Sequence, residues 1–378
     1  MAARIIDDLR TPCLVCIKSI AEANASAMLG RAAQLGCALR PHVKTNKTLE
    51  ASAIATGGSK RRIAVSTMAE AHFFAAGGFD DILYAVPITR DKVADALKLR
   101  STHEFHVMVD SQEGFRELAA AVSANCAGNS SASPPLDVFV RVDCGYGREG
   151  VCPFDAASVD LVRAIASSAG LRFGGLYTHG GHSYDASDAQ AVRRIGEAER
   201  DSVAALAGAL RSAGLPPPIV GVGSTPTCSL PPADLDGVDE MHPGNFIYYD
   251  MMQARIGACG TGDMALRVLT RVLGHYPSRG MMLVDLGWTG VSSQGSEHGY
   301  GSFVDFPGLR CAKLKQECGE VVAVHGAPPI DFAAHPLGSI LMFAPYHACA
   351  ATQQHTHVHA IANDRRTIVG TWEICKGW

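Results

Sequence analysis

The stretch IAVSTMAEAHFFAAGGFDDILYA, residues 63–85, contains one complete unit of the pattern that decides the fold. A short β-branched run, Ile63–Thr67, gives way to an Ala- and Phe-rich segment of helical period, Met68–Ala76. The Gly77-Gly78 pair stops it, and a second apolar run, Asp81–Ala85, follows. Strand, helix and strand joined by connections this short form a βαβ unit with parallel strands. The alternation continues in both directions, from about residue 19 to residue 250. Its strands read Leu39–Lys44, Ile63–Thr67, Asp81–Ala85, Phe105–Asp110, Leu136–Asp143, Leu171–His179, Ile219–Gly223 and Gly237–His242. Helical segments lie between them: Ser19–Leu35, Leu49–Thr56, Met68–Ala76, Arg90–Leu99, Ser111–Val122, Ala156–Ser168 and Ala186–Ala213. Eight units in about 220 residues predict a closed (β/α)8 barrel of the α/β class, not an open doubly wound sheet. The Ser-, Pro- and Gly-containing stretch Cys126–Pro135 reads as a surface loop, because the strand pattern resumes directly after it.

Beyond Gly257 the long helices stop. Ala265–Val272, Gly280–Asp285, Glu320–Ala323, Ser339–Ala344, Val358–Asn363 and Thr367–Trp372, separated by Gly, Pro, Asp and Asn turns, predict a smaller β-domain. The expected division is a barrel over residues 17–257 and a β-domain over 258–378, joined by residues 1–16 through the run Pro12–Cys16.

A chain of 378 residues accommodates both parts. Hydrophobic residues at 47% and charged residues at 19% describe a globular protein, and a net charge of −4 argues against nucleic acid or an anionic membrane as the main partner. The expected substrate is small. Met1–Asp8 has no apolar h-region, and no run approaches the roughly 20 apolar residues of a membrane span, so a cytoplasmic location is expected. The twelve cysteines are scattered and read as reduced, buried hydrophobes. Cys13 and Cys16 form a CxxC, but in an extended run their three-residue offset turns the side chains to opposite faces, away from redox or zinc chemistry.

Arg40-Pro41-His42-Val43-Lys44-Thr45-Asn46-Lys47 ends the first strand, on the rim where barrels build active sites. A lysine there is either a surface charge or, when desolvated, a nucleophile and Schiff-base former. Gly221–Thr227 ends the seventh strand, where close backbone approach at Gly223 and the hydroxyls of Ser224 and Thr225 suit a phosphate. His242-Pro243-Gly244-Asn245 follows at the eighth. Tyr177–Tyr184 ends the sixth strand and offers His179 and His182 as general acid or base and Tyr177 as a stacking ring. Arg141–Arg148 ends the fifth; Arg148 faces either a pyridine nitrogen or a carboxylate. In Pro345-Tyr346-His347-Ala348-Cys349, an extended chain puts imidazole and thiolate on one face, a zinc-like pair that leaves positions for water or substrate. His355, His357 and His359 alternate along a strand without completing a tetrahedral site and read as a solvated face.

Arg40–Thr45, Gly223–Pro226, His242–Asn245, Asp285-Leu286-Gly287-Trp288 and Pro345–Cys349 occur in that order in the eukaryotic D-serine dehydratases, and the chain resembles that family along essentially its whole length. The group also includes D-threo-3-hydroxyaspartate dehydratases and, more distantly, D-threonine aldolases. The resemblance implies an alanine-racemase-like fold, a homodimer, and pyridoxal 5'-phosphate held by Lys44 as the Schiff-base lysine. The expected cofactor set is Lys44, His42, Arg148, Tyr177, Gly223, Ser224, Thr225, Gly244 and Asn245, and the catalytic set is Lys44, His179 and His182. His347 and Cys349 match the pair that holds a divalent metal, zinc in the dehydratases, with Mn2+ or Mg2+ as alternatives. The implied reaction is conversion of D-serine to pyruvate and ammonia. The alternatives are cleavage of D-threonine to glycine and acetaldehyde, or dehydration of D-threo-3-hydroxyaspartate. Bacterial D-threonine aldolases carry His-x-Asp at the metal position, so Cys349 leans toward dehydration. The chain departs from the family at Asn46 and Cys318, where histidine is usual, and both are expected to retune the substrate pocket.

Overall fold

A computed structural model describes residues 4–126 and 134–378; the expected loop Cys126–Pro135 falls largely on 127–133, outside the described residues. The chain divides into two compact units. One comprises Ser26–Lys44, Ala55–Gly244 and the last two residues; the other comprises the N-terminal residues up to Ala25, Thr45–Ile54 and Asn245–Lys376.

Strand β1, Cys13–Ile17, belongs to the second unit. The strands of the first are β2 Ala38–Leu39, β3 Arg61–Val65, β4 Asp80–Pro87, β5 Phe105–Val109, β6 Leu136–Val142, β7 Leu171–Thr178, β8 Val220–Val222 and β9 Glu240–Met241. Their order is β2-β9-β8-β7-β6-β5-β4-β3, and every neighbouring pair is parallel. A bridge between His42 and Ala64 joins the two ends of this sheet, with Val43 N–H donating to Ala64 O and Ala64 N–H to Pro41 O, each at 2.9 Å. The result is the expected eight-stranded parallel barrel, nearly closed.

The first strand is shorter than the sequence pattern predicts. The regular strand stops at Leu39, pairing continues past Pro41 only as single bonds and the isolated bridge at His42, and Lys44 sits on the turn that follows. The helix Met68–Ala76 has the predicted bounds, capped by Thr67, whose hydroxyl accepts the Glu70 N–H. The long helix starts at Ala189, not Ala186, because the Asp188 side chain caps it by accepting the Ala191 N–H. Ala64, Leu83, Ala85, Met108, Phe139 and Tyr177 pack together in the barrel. The ring of Phe139 needs glycine at 174, where a Cβ would lie 2.9 Å from it.

In the second unit the remaining strands are β10 Leu266–Tyr276, β11 Met281–Val284, β12 Gly301–Ser302, β13 Leu309–Leu314, β14 Gly319–Ala323, β15 Ile340–Pro345, β16 His357–Ile361 and β17 Ile368–Glu373. They form a mostly antiparallel sheet of order β13-β14-β11-β10-β1-β16-β17, with β15 pairing β10 and β12. The N-terminal strand β1 lies inside it, antiparallel to β10 and parallel to β16. Val15, Ile17, Leu269, Met342 and Ile361 make one of its cores. Burial pushes the Cys13 thiol up to about 12 and raises Cys16 as well, so the CxxC holds no thiolate at neutral pH. Among the described residues no helix is long and apolar enough to cross a membrane.

Candidate active site

Five of the residues singled out in the sequence come together in the barrel unit. His42, Lys44, Arg148, Tyr177 and His179 line a cavity of about 250 Å³, shared with Ser66, Ala85, Val86, Arg141 and Glu149. His42 Nδ1 accepts the Lys44 N–H at 3.4 Å, which leaves Nε2, 3.3 Å from Ser66 Oγ, to carry the proton. His179 has the opposite tautomer: its Nδ1 lies 2.9 Å from Gly223 O, an acceptor only, so Nδ1 donates and Nε2 keeps its lone pair. Burial, then the charge of Lys44, hold both imidazoles well below the usual histidine range, so both are neutral at pH 7.

Arg141 is, with Glu149, a charged lining residue to which the sequence pattern gave no role. It is buried, pairs through Nη2 with Glu149 Oε1 at 2.7 Å, and its guanidinium lies 5.2 Å from the Tyr177 ring centroid. The available signal was a cation between Val140 and Val142 in a fully buried strand, which needs an anionic partner. Arg148 Nη2 contacts the same Glu149 oxygen at 2.6 Å. One carboxylate thus serves two guanidinium groups, and with Lys44 the lining carries an excess of positive charge that suits an anionic ligand. Tyr177 stacks on His242, centroids 3.7 Å apart and rings 9° from parallel; burial takes that imidazole down to about 3.

The phosphate-turn candidates lie beside this cavity without lining it. Gly223 has φ of 139°, and a Cβ there would meet Cys228 Sγ at 2.6 Å, so only glycine fits. The Ser224 hydroxyl accepts the Thr227 N–H and lies 2.7 Å from Ser183 Oγ, while Thr225 Oγ1 accepts the Gly244 N–H at 3.2 Å. His182 is not part of the lining and stacks on Tyr146, centroids 5.8 Å apart.

In the other unit, His347 and Cys349 do not lie on an extended chain as the sequence predicts. His347 is extended and caps the helix Ala348–Gln354, and Cys349 sits in its first turn. His347 Nδ1 lies 2.7 Å from Gln294 Oε1; donation to that oxygen would make Nε2 the nitrogen with a lone pair to offer. Cys349 Sγ lies 3.1 Å from Thr45 Oγ1. No third His, Cys, Asp or Glu joins them in a metal-holding group among the described residues, so the donor set fits a metal that keeps positions for water or substrate. Asp250 Oδ2 accepts from Asn245 Nδ2 at 2.5 Å and from the Ala348 N–H at 2.8 Å, so one carboxylate ties two of the sequence runs together.

Asn46 is buried, and its Oδ1 accepts the Thr48 N–H and the Ser52 hydroxyl, at 3.1 and 2.8 Å, at the start of the helix Leu49–Ala55. Cys318 lies in the β13–β14 turn, its carbonyl accepting the Lys315 N–H. His355 Nε2 donates to Gly290 O, while His357 and His359 bond Thr356 and Thr371 hydroxyls.

Residues 19–251 match the family described as alanine racemase, N-terminal domain, and residues 265–361 match a serine dehydratase domain. The D-threo-3-hydroxyaspartate dehydratase of Delftia sp. (strain HT23) is 36% identical over 98% of each chain. The D-serine dehydratase of Dictyostelium discoideum is 33% identical over 99% of this chain and 98% of that one. The solved Delftia structure superposes with a TM-score of 0.91, covering 99% of this chain and 100% of that one, and a cysteine-to-alanine variant of it is described as metal-free. D-threonine aldolase from Filomicrobium marinum superposes with a TM-score of 0.87 at 25% identity, over 99% of this chain and 98% of that one. Barrel and matches together define the class, the alanine-racemase-like pyridoxal-phosphate enzymes. Within that class the chain belongs to the family of lyases acting on D-3-hydroxy-amino acids, which includes the D-serine and D-threo-3-hydroxyaspartate dehydratases.

Proposed function

We propose that this enzyme is a pyridoxal-phosphate- and divalent-metal-dependent D-serine dehydratase that converts D-serine to pyruvate and ammonia. The observation that carries the proposal is Lys44 in a cation-rich pocket beside two neutral imidazoles. Bound pyridoxal phosphate supplies an electron sink for charge at the substrate Cα, and a divalent cation supplies a Lewis acid for the β-hydroxyl.

Lys44 Nζ would hold the cofactor, and the same amine would serve as the base for the Cα proton. Arg141 and Arg148 give the pocket its surplus of positive charge and Tyr177 offers a ring face; the phosphate would lie toward the Gly223–Thr225 turn and Gly244, where it would replace bonds such as that from Gly244 N–H to Thr225 Oγ1. His347 Nε2 and Cys349 Sγ would hold the metal, zinc by donor type, with Mn2+ or Mg2+ as alternatives. The resemblance adds the expectation of a cytoplasmic homodimer.

A second reading, D-threonine aldolase, draws support from His179. Its free Nε2 lone pair is suited to taking a β-hydroxyl proton. The thiol at position 349 favours dehydration.

The test is product analysis of purified, metal-replete holoenzyme given D-serine and D-threonine separately, with and without EDTA. Pyruvate from D-serine that disappears with EDTA supports the proposal. Glycine and acetaldehyde from D-threonine, with no pyruvate from D-serine, replace it with the aldolase, and no product from either substrate overturns both.

A further inference from the structure

Behind the pocket, on the helix Ala189–Ser212, lies a carboxyl group to which the proposed chemistry gives no role. Glu199 is 1% exposed, and its hydrogen-bond partners are neutral donors. Its Oε1 accepts the N–H of Gly180, the residue after His179, and its Oε2 accepts the Thr227 hydroxyl at 2.6 Å. The Thr227 oxygen in turn accepts the Ser224 N–H at 3.0 Å. One carboxylate therefore binds the turn that follows β7 to the turn that follows β8. The fit is close, since a Cβ at Gly180 would lie 2.7 Å from Glu199 Cδ.

We propose that Glu199 is a positioning residue for the pocket: by locking these two turns together it fixes Gly223 O against His179 Nδ1, and so dictates which nitrogen of His179 faces the substrate. The proposal rests on the cofactor assignment only where it predicts cofactor affinity. Burying a carboxyl without a cation bonded to it costs desolvation that an apolar side chain of similar size would not. What offsets that cost is the order imposed on the two turns. Burial pushes the Glu199 carboxyl up to about 7, against the Thr227 hydroxyl and the amides of Gly180 and Gly223, which favour ionisation. The other ionisable groups facing it are Arg141, Cys144 and Cys228. Without the carboxylate, Gly180 N–H loses this acceptor and Thr227 Oγ1–H is left with Ser224 O, 3.4 Å away in its own turn, so the bond from His179 to Gly223 O spans two turns no longer held in register.

The test compares Glu199→Gln, Glu199→Ala and Thr227→Val with the wild-type enzyme, each below its own melting temperature as judged by circular dichroism. Three quantities are read: the dissociation constant of pyridoxal phosphate, kcat and KM at saturating cofactor, and the His179 tautomer from 15N shifts of histidine-labelled protein. In Glu199→Ala and Thr227→Val the cofactor constant should rise and kcat fall by about tenfold or more, and the single Nδ1–H tautomer of His179 should become a mixture. Glu199→Gln, which keeps an acceptor for Gly180 and a partner for Thr227, should recover most of the affinity and the single tautomer.

A lowered melting temperature with unchanged tautomer, cofactor constant and kcat overturns the proposal and leaves Glu199 a structural residue. If Glu199→Ala does not fold, Thr227→Val decides by the same measurements. Failure of the wild-type protein to bind pyridoxal phosphate would instead count against the cofactor assignment. The tautomer comparison, which needs neither cofactor nor turnover, would then still decide the role of Glu199.

Discussion

Thr45 Oγ1 lies 3.1 Å from Cys349 Sγ, and Thr45 is the residue that follows Lys44 in the chain. Were the sulfur ionised as the proposed metal ligand, only the hydroxyl would have a proton to give, and Thr45 would donate. Partners of this kind tune metal affinity by about 10–100-fold. Thr45→Val, close in shape but without the donor, should weaken zinc binding about tenfold in competition with a chromophoric chelator. Cys349→Ala should remove the response to EDTA altogether. Equal zinc affinity in wild type and Thr45→Val would mean that the hydroxyl does not support a metal-bound thiolate.

If Lys44 holds the cofactor as proposed, Lys44→Ala should abolish turnover and the yellow chromophore expected of the holoenzyme, because among the described residues no other primary amine lines the cavity. The absorbance spectrum checks this directly. A retained chromophore in the variant would move the cofactor to another lysine.

What was legible in the sequence was what is local in the physics. Helical and extended periods are properties of short segments, so Met68–Ala76 and the run of eight strands could be read from them. The rim rule then drew attention to Lys44, His42, Arg148, Tyr177 and His179, which share one cavity. Other features depend on distant partners. Strand β13, with Arg310 and Lys313 interrupting its apolar residues, is held by its hairpin with β14. Arg141 points into the pocket because Glu149 and Tyr177 receive it. The extended geometry expected of His347-Ala348-Cys349 gives way to a helix start whose Ala348 N–H is accepted by Asp250, 98 residues earlier. His182 turns onto Tyr146 through the one-turn helix Gly181–Asp185, which no periodicity marks.

Arg40 is fully buried, with Nε 2.7 Å from Glu240 Oε1 and Nη1 2.8 Å from Asp81 Oδ1. Removing the cation leaves Glu240 without this buried partner and Asp81 with His106 and Arg62, a loss of about 3–5 kcal/mol. Arg40→Met should lower the urea midpoint accordingly, and adding Glu240→Gln should restore part of it. A midpoint within error of the wild type would show that the carboxylates find other partners or protons at no cost.

The same ion chain continues from Asp81 to His106 Nε2 at 3.0 Å, and from His106 Nδ1 to Asp137 Oδ2 at 3.3 Å, with Asp137 also bonded to Arg172. Burial opposes the charge on His106, but Asp137 and Asp81 outweigh it and hold the imidazole above its usual value. Burial likewise opposes ionisation of both carboxyls, yet His106 and the arginines bring Asp137 down to about 2 and lower Asp81 too. The signs then run in opposite directions. The histidine's contribution to stability is complete below its unfolded value of about 6.5 and fades as pH rises through the raised folded value. The carboxylates contribute fully above their unfolded value of about 3.9 and fade as pH falls through the lowered folded values. The chain therefore stabilises the barrel most between about pH 4 and pH 6.5. Urea midpoints of wild type and His106→Gln from pH 2 to pH 9 should differ most inside that window and converge on both sides. A difference that stays constant from pH 4 to pH 9 would mean that His106 is neutral in the folded protein throughout and that the two carboxylates are held by arginine alone.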